Sequence, residues 1–139
     1  MSEWRKPVPR VDAESKPFWE ACRRHELYLQ RCRACQEFYY YPRNTCPYCL
    51  GSDVEWVRLS GRGTVYTFTV TYQHGGEGFR DEVPFVIAYV ELEGTGGVKM
   101  LTNVVECDPA QVRIGMPVEV TFRDVNDELA IPVFRPRGE

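Results

Sequence analysis

Four cysteines carry the clearest chemistry in the chain: Cys32, Cys35, Cys46 and Cys49, spaced Cys-x2-Cys-x10-Cys-x2-Cys within "RCRACQEFYYYPRNTCPYC". Each pair closes a tight knuckle, and the ten residues between them fold back as a hairpin, so that four sulfurs meet at one tetrahedral centre. Zinc is the metal such a set selects. Thiolates hold it at about 2.3 Å, and four protein ligands leave no position for water or substrate, which makes the site structural. The rival chemistry, thiol–disulfide exchange, needs an exposed low-pKa cysteine beside a helix start, and the sequence offers a hairpin instead. The spacing predicts a zinc ribbon, a β unit too small to hold itself by hydrophobic burial without metal.

Phe38, Tyr39, Tyr40 and Tyr41 lie in that hairpin, followed by Pro42 and Arg43. Two readings stand side by side: an aromatic and cationic surface for a planar base such as adenine or for a protein partner, and plain packing of the ribbon onto the rest of the fold. Cys22 and Cys107 fall outside the metal spacing and read as packing or surface thiols. With His25 and His74 as the only imidazoles, no nucleophile, base and acid can be grouped. His74, in "YQHGGEGF", is the one residue in a setting for proton transfer, and a free-standing thioester hydrolase would have to rest on it or on Asp81. The "GGEG" stretch is no phosphate loop, since neither Lys-Ser/Thr nor a helix start follows it. The acidic pairs Asp81/Glu82 and Asp127/Glu128 read as solvent-facing loop residues.

The elements that must position these groups fit in 139 residues as one domain or as two small units sharing a core. With 43% hydrophobic and 27% charged residues the composition is that of a water-soluble globular protein. Residues 1–60 carry ten Lys/Arg against eight Asp/Glu, and residues 61–139 seven against twelve, so the second half nets −5. That balance is a poor match for phosphate backbones. No apolar run has the length of a signal-peptide core or of a membrane helix. The expectation is a cytoplasmic protein, in whose reducing surroundings paired thiols serve as metal ligands.

Residues 1–11 read as an extended arm of the kind that packs on a partner. A helix is predicted over about 13–25, with Asp12 or Ser15 as cap, Pro17 in the first turn, and Phe18, Trp19, Cys22 and Leu27 as its apolar stripe. "LYLQRC" leads as a strand into the first cysteine pair, and "VEWVRL" is a strand beyond the second. "GTVYTFTVTY" at 63–72 alternates strictly, which predicts Tyr66, Phe68, Val70 and Tyr72 on one face and Val65, Thr67, Thr69 and Thr71 on the other. "QHGGEGFRDEVP" reads as a long mobile loop. Strands follow at "FVIAYVELE", "KMLTNVVE", "PVEVTFRD" and "LAIPVFRP". Five strands in about 75 residues, with a long first connection and a short Gly-rich second one, predict a closed barrel of the OB type rather than a sandwich. The fold class is mainly β: arm and helix over 1–26, ribbon over 27–58, five-stranded barrel over 59–139.

The phrases "PFW", "LYLQRCRAC", "YYPRNTCPYC", "GRGTVYTFTVTY", "VPFVIAYVEL", "IGMPVEVTF" and "IPVFRP", in that order across residues 12–136, resemble the zinc-ribbon/OB-fold family called DUF35. The resemblance implies an N-terminal helix, a rubredoxin-like ribbon and a C-terminal OB barrel. It also implies a small, non-catalytic partner of thiolase-superfamily proteins, among them thiolases, synthases and lipid-transfer-type aldolases acting on CoA thioesters of fatty acids, steroids or aromatic acids. Catalytic residues belong to the partner; this chain helps bind, shield or channel the acyl-CoA. Structural Zn2+ carries over onto Cys32, Cys35, Cys46 and Cys49. A CoA thioester is the implied shared ligand, and two copies of each chain the implied assembly. Tyr39, Tyr40, Tyr41, Arg43, Tyr66 and Phe68 are the candidate ligand or partner contacts. The chain departs from the family pattern at His25-Glu26, where a glycine commonly follows the helix, and at Leu50, which intervenes before Gly51. The alternative reading is a single-stranded nucleic-acid binder, a use both modules serve. Against it stand the acidic barrel half and a "TVYTFTVTY" strand without Lys or Arg.

Overall fold

The structure is a computed structural model that describes residues 4–138; the first three residues of the arm lie outside the described residues. Helix α1, Lys16–Arg23, is shorter than the predicted 13–25 because both ends are turned by specific bonds. At its start Asp12 Oδ1 accepts from the Ser15 backbone N–H (2.9 Å) and from Ser15 Oγ (2.8 Å), which makes 12–15 a turn rather than helix. At its end His25 N–H donates to Cys22 O and Glu26 N–H to Ala21 O, both at 2.9 Å, the paired closure that requires a left-handed residue. His25 supplies it, at φ 62°, the position where the family pattern has glycine. Phe18, Trp19, Ala21 and Cys22 form the buried side of the helix.

The ribbon is a three-stranded antiparallel sheet with β1 (Tyr28–Cys32) between β2 (Phe38–Tyr39) and β3 (Val54–Arg58). Gln30 faces Tyr39 on one side and Trp56 on the other. The barrel closes in the order β4-β5-β6-β8-β7, from β4 (Arg62–Thr71), β5 (Phe85–Leu92), β6 (Lys99–Val104), β7 (Pro117–Asp124) and β8 (Ala130–Pro136). All pairings are antiparallel except the closing contact of β6 with β8, a parallel bridge at Val104 and Phe134, reinforced by Val105 N–H donating to Phe134 O at 2.7 Å. A single 3₁₀ turn, Pro109–Gln111, capped by the Asp108 carboxylate on Ala110 N–H, lies before β7 and was not foreseen from sequence.

The strict alternation predicted for β4 is broken. Its register against β5 shifts between Val65 and Thr67, so that one extra residue, Tyr66, bulges out of the ladder. Val65 is buried, Tyr66 and Thr67 are both exposed, and Phe68 and Val70 turn back toward the interior. Tyr66 and Phe68 therefore do not share a face, and the correction follows from the bulge: one added residue inverts every later side chain.

One core runs through both modules. Phe18, Trp19 and Cys22 of α1 and Leu27 and Leu29 at β1 belong to the same buried cluster as Val65, Val86, Val90, Met100, Val118 and Phe134 of the barrel. A smaller cluster, Cys32, Cys46 and Tyr39 with Cys35 and Val54, fills the ribbon tip. Loop 73–84, expected to be mobile, is folded into turns: His74 lies 4.5 Å from Phe79, and Phe79 5.9 Å from Phe85. The described part of the arm returns onto this loop, where Lys6 Nζ contacts Glu82 at 3.0 Å and sits 4.6 Å over the Trp4 ring.

Candidate metal centre and contact surface

The two cysteine pairs form matching knuckles. Gln36 N–H donates to Cys32 O (2.8 Å) and Leu50 N–H to Cys46 O (2.9 Å), each closing a turn around its pair. Both turns demand a left-handed residue directly after the second cysteine, met by Gln36 at φ 67° and Leu50 at φ 64°. The four sulfurs lie within 4.8 Å of one another, with Cys32–Cys49 and Cys35–Cys46 each at 3.6 Å. A tetrahedron of sulfurs at about 2.3 Å from zinc has edges of about 3.8 Å, so the donor set and its spacing fit one such ion. Backbone N–H groups point at the sulfurs: Cys35 N–H at Cys32 Sγ (3.5 Å) and Tyr48 N–H at Cys46 Sγ (3.4 Å). The Cys35 N–H lowers the Cys32 thiol to about 7. Thiolates so crowded repel one another, and a bound dication is what offsets that repulsion. Two thiols lie outside the set. Burial pushes Cys22 up to about 12 and raises Cys107, as packing thiols require.

The hairpin aromatics divide by position. Tyr39 is 3% exposed and donates its hydroxyl to Arg43 O at 2.7 Å; burial raises it to about 12. Tyr40 packs on the shared core 5.8 Å from Phe18, and burial raises its hydroxyl further. Tyr41 keeps surface, and its Oη accepts from Trp19 Nε1 at 3.2 Å. Two of the three tyrosines thus weld the ribbon to the helix, a division invisible in the run "YYY". Arg43 is pinned at its backbone from both sides, since the buried Gln30 Oε1 accepts its N–H at 2.8 Å. Its side chain is exposed and enters no ion pair among the described residues.

On the barrel Tyr66 is exposed with Lys99 Nζ 4.5 Å over its ring, whereas Phe68 packs against the core. Sequence reasoning missed Tyr89 and Leu101, which face each other across β5 and β6 and are both exposed; their outward side-chain parity was the available signal. The two histidines are engaged in structure. His25 Nε2 lies 3.0 Å from Asp124 Oδ1, and His74 Nδ1 accepts from Gly76 N–H at 2.9 Å. Of the acidic pairs, Glu82 is held by Lys6 and Arg123, while Asp81 stays open to solvent.

A four-thiol ribbon sharing its core with a closed five-stranded barrel defines a zinc-ribbon/OB-fold protein. Family models match it in two parts, the rubredoxin-like zinc ribbon domain of ChsH2 over residues 19–55 and the C-terminal OB-fold domain of ChsH2 over 56–123. The chain belongs to the DUF35 family. It is 37% identical over 99 residues to a DUF35 domain-containing scaffold protein of Methanocaldococcus jannaschii, covering 70% of this chain and 68% of that protein. It is also 36% identical over 131 residues to a probable enoyl-CoA hydratase alpha subunit of Thermomonospora curvata, covering 94% of this chain and 40% of the relative. A 3-oxo-4,17-pregnadiene-20-carboxyl-CoA hydratase alpha subunit of Mycobacterium tuberculosis matches at 39% identity, over 86% of this chain and 37% of that one. The chain thus spans about two-fifths of these hydratase subunits. Among solved structures, a chain of the Ltp2-ChsH2(DUF35) aldolase superposes with a TM-score of 0.81 at 36% identity, covering 93% of this chain and 98% of that one. No helix among the described residues is long and apolar enough to cross a membrane.

Proposed function

We propose that this chain is a non-catalytic accessory subunit that docks on a thiolase-fold enzyme, a thiolase, a synthase or a lipid-transfer-type retro-aldolase, and helps bind, shield or channel its acyl-CoA substrate. The observation that carries this reading is the likeness along nearly the whole chain to a DUF35 chain solved as part of an aldolase. Bound zinc supplies no chemistry beyond tying four sulfurs together. The chain's own residues do the rest. Tyr39 and Gln30 fix the Arg43 backbone, so the exposed side chain springs from a set point on the surface, where its guanidinium can reach a CoA phosphate. Tyr41, Tyr66, Tyr89 and Leu101 offer apolar surface that excludes water around a thioester whose reacting groups lie in the partner.

The assembly we propose has two copies of each chain, acts on CoA thioesters of steroid, fatty-acid or aromatic-acid type, and resides in the cytoplasm. The hydratase names belong to proteins of which this chain spans about two-fifths, and their reaction is not carried over. The test is affinity purification of the tagged chain from nuclease-treated native lysate at moderate salt, followed by acyl-CoA turnover assays. Support is a thiolase-fold chain in near-equal amount, with turnover that needs both chains. The reading fails if the enzyme turns over equally without this chain, or if oligonucleotides bind with steep salt dependence and no enzyme is recovered.

A further inference from the structure

Among the described residues four other than glycine hold left-handed backbone, His25, Gln36, Leu50 and Glu106, and each costs the fold stability. Three recover that cost inside the chain. His25 stacks on Phe122 and meets Asp124; Gln36 bonds Arg31 and the Arg33 carbonyl; Glu106 pairs with Arg135 at 3.7 Å. The Leu50 side chain recovers nothing: it is 76% exposed and belongs to neither buried cluster. Beside it on the same knuckle Tyr48 is 65% exposed, its hydroxyl in no hydrogen bond and its ring in no aromatic pair among the described residues. The knuckle requires the left-handed backbone at residue 50, but among the described residues no contact accounts for a leucine side chain there in place of glycine, or for the exposed ring of Tyr48.

We propose that Tyr48 and Leu50 are the apolar anchor by which the second cysteine knuckle seats in a socket of the catalytic partner subunit; this rests on the accessory-subunit reading above. The knuckle is stiff, because Leu50 N–H bonds Cys46 O, Cys46 N–H bonds Gly51 O at 2.8 Å, and Tyr48 N–H points at Cys46 Sγ. Anchoring side chains on such a frame bind without a large loss of freedom. The occupant is a protein with an apolar concavity. Two side chains bury at most a few hundred Å², whereas a free-standing interface needs roughly 1,200–2,000 Å², so the tip alone does not hold a second copy of this chain. It suits the central anchor of a larger contact with a different subunit. Nor does its charge suit nucleic acid or an anionic membrane: between residues 44 and 53 the one charged residue is Asp53, paired with Arg33 at 2.9 Å.

The test compares Leu50→Gly, Tyr48→Ala and the wild-type chain, all zinc-loaded, for thermal midpoint, oligomeric mass and calorimetric affinity for the enzyme subunit that copurifies with the wild type. Leu50→Gly is expected to raise the midpoint of the isolated chain by about 4 °C while weakening the complex at least tenfold, opposite signs that general damage does not produce. Tyr48→Ala is expected to weaken the complex at least tenfold with the midpoint and zinc content unchanged. If both variants bind as the wild type does, the anchor is refuted and the accessory-subunit reading stands. If the wild type captures no enzyme subunit, both fall. A wild-type dimer that Leu50→Gly converts to monomer overturns the inference in favour of self-association.

Discussion

His25 Nε2 lies 3.0 Å from Asp124 Oδ1 across 99 positions of sequence, and its ring stacks on Phe122 at 5.1 Å with 13° between the planes. The end of the helix is thereby tied to the last residues of β7. Both partners are more than half exposed, so their contact contributes no more than about 1 kcal/mol, and the stacking about 0.5–1.5 kcal/mol. His25→Gly loses both contacts and relieves the left-handed strain; His25→Ala loses both and keeps it. The alanine variant should be the less stable by about 1 kcal/mol in urea titrations, and equal midpoints would show that the backbone there is not strained.

The metal centre makes a stoichiometric prediction. Elemental analysis should find one zinc per chain, and Cys46→Ser, at a site with no exposure, should find none. Because Leu27 and Leu29 beside the ribbon belong to the barrel's core cluster, chelation should loosen both modules together. Tryptophan fluorescence and far-UV circular dichroism should report one transition, and two separated transitions would contradict the shared core.

Trp19 is 7% exposed, and its indole N–H has Tyr41 Oη as its acceptor. Tyr41→Phe leaves that donor unpaired at the seam between ribbon and helix, a loss of about 1 kcal/mol. Unchanged stability with an unshifted Trp19 indole proton resonance would disprove the bond.

Gly78 has φ +85°, and a Cβ there would stand 2.8 Å from the backbone of Arg5 and Lys6. Gly78→Ala should therefore lift the arm from loop 73–84 and break the Lys6–Glu82 contact. Limited proteolysis should then cut before Asp12 much faster than in the wild type; equal rates would place the arm elsewhere.

Asp12 is held below its ordinary value of 3.8, chiefly by the hydroxyl of Ser15. A lowered folded pKa means that its stabilising effect is present above the unfolded carboxylate value and lost as pH falls through the folded one. The turn before α1 should loosen in that acid window, seen as faster amide exchange at Ser15 and Lys16. Asp12→Asn should remove the pH dependence.

What the sequence disclosed and what it hid differ by the physics involved. The barrel strands were legible because a closed sheet with one wet face imposes a period of two, and "PVEVTFRD" coincides with β7. The zinc ligands were legible because spacing alone determines them. The bulge at Tyr66 was not, since a residue that slips out of a ladder looks the same as one that stays in it. His25 stood out where the family commonly has glycine and Leu50 as a residue that intervenes before Gly51, but only φ values of 62° and 64° show that both hold left-handed backbone. The arm's return to loop 73–84 was hidden because it joins segments some 75 residues apart, through Lys6 and Glu82.

The shared core also fixes a distance. Phe18 and Trp19 are packed into the barrel's cluster, and Tyr40 and Tyr41 of the ribbon lean on Phe18, so the knuckle tip and the outer face of β5 and β6 cannot swing independently. Any bodies that came to rest on Leu50 and on Tyr89 would be kept at a set separation and angle, with this small chain as a rigid gauge between them.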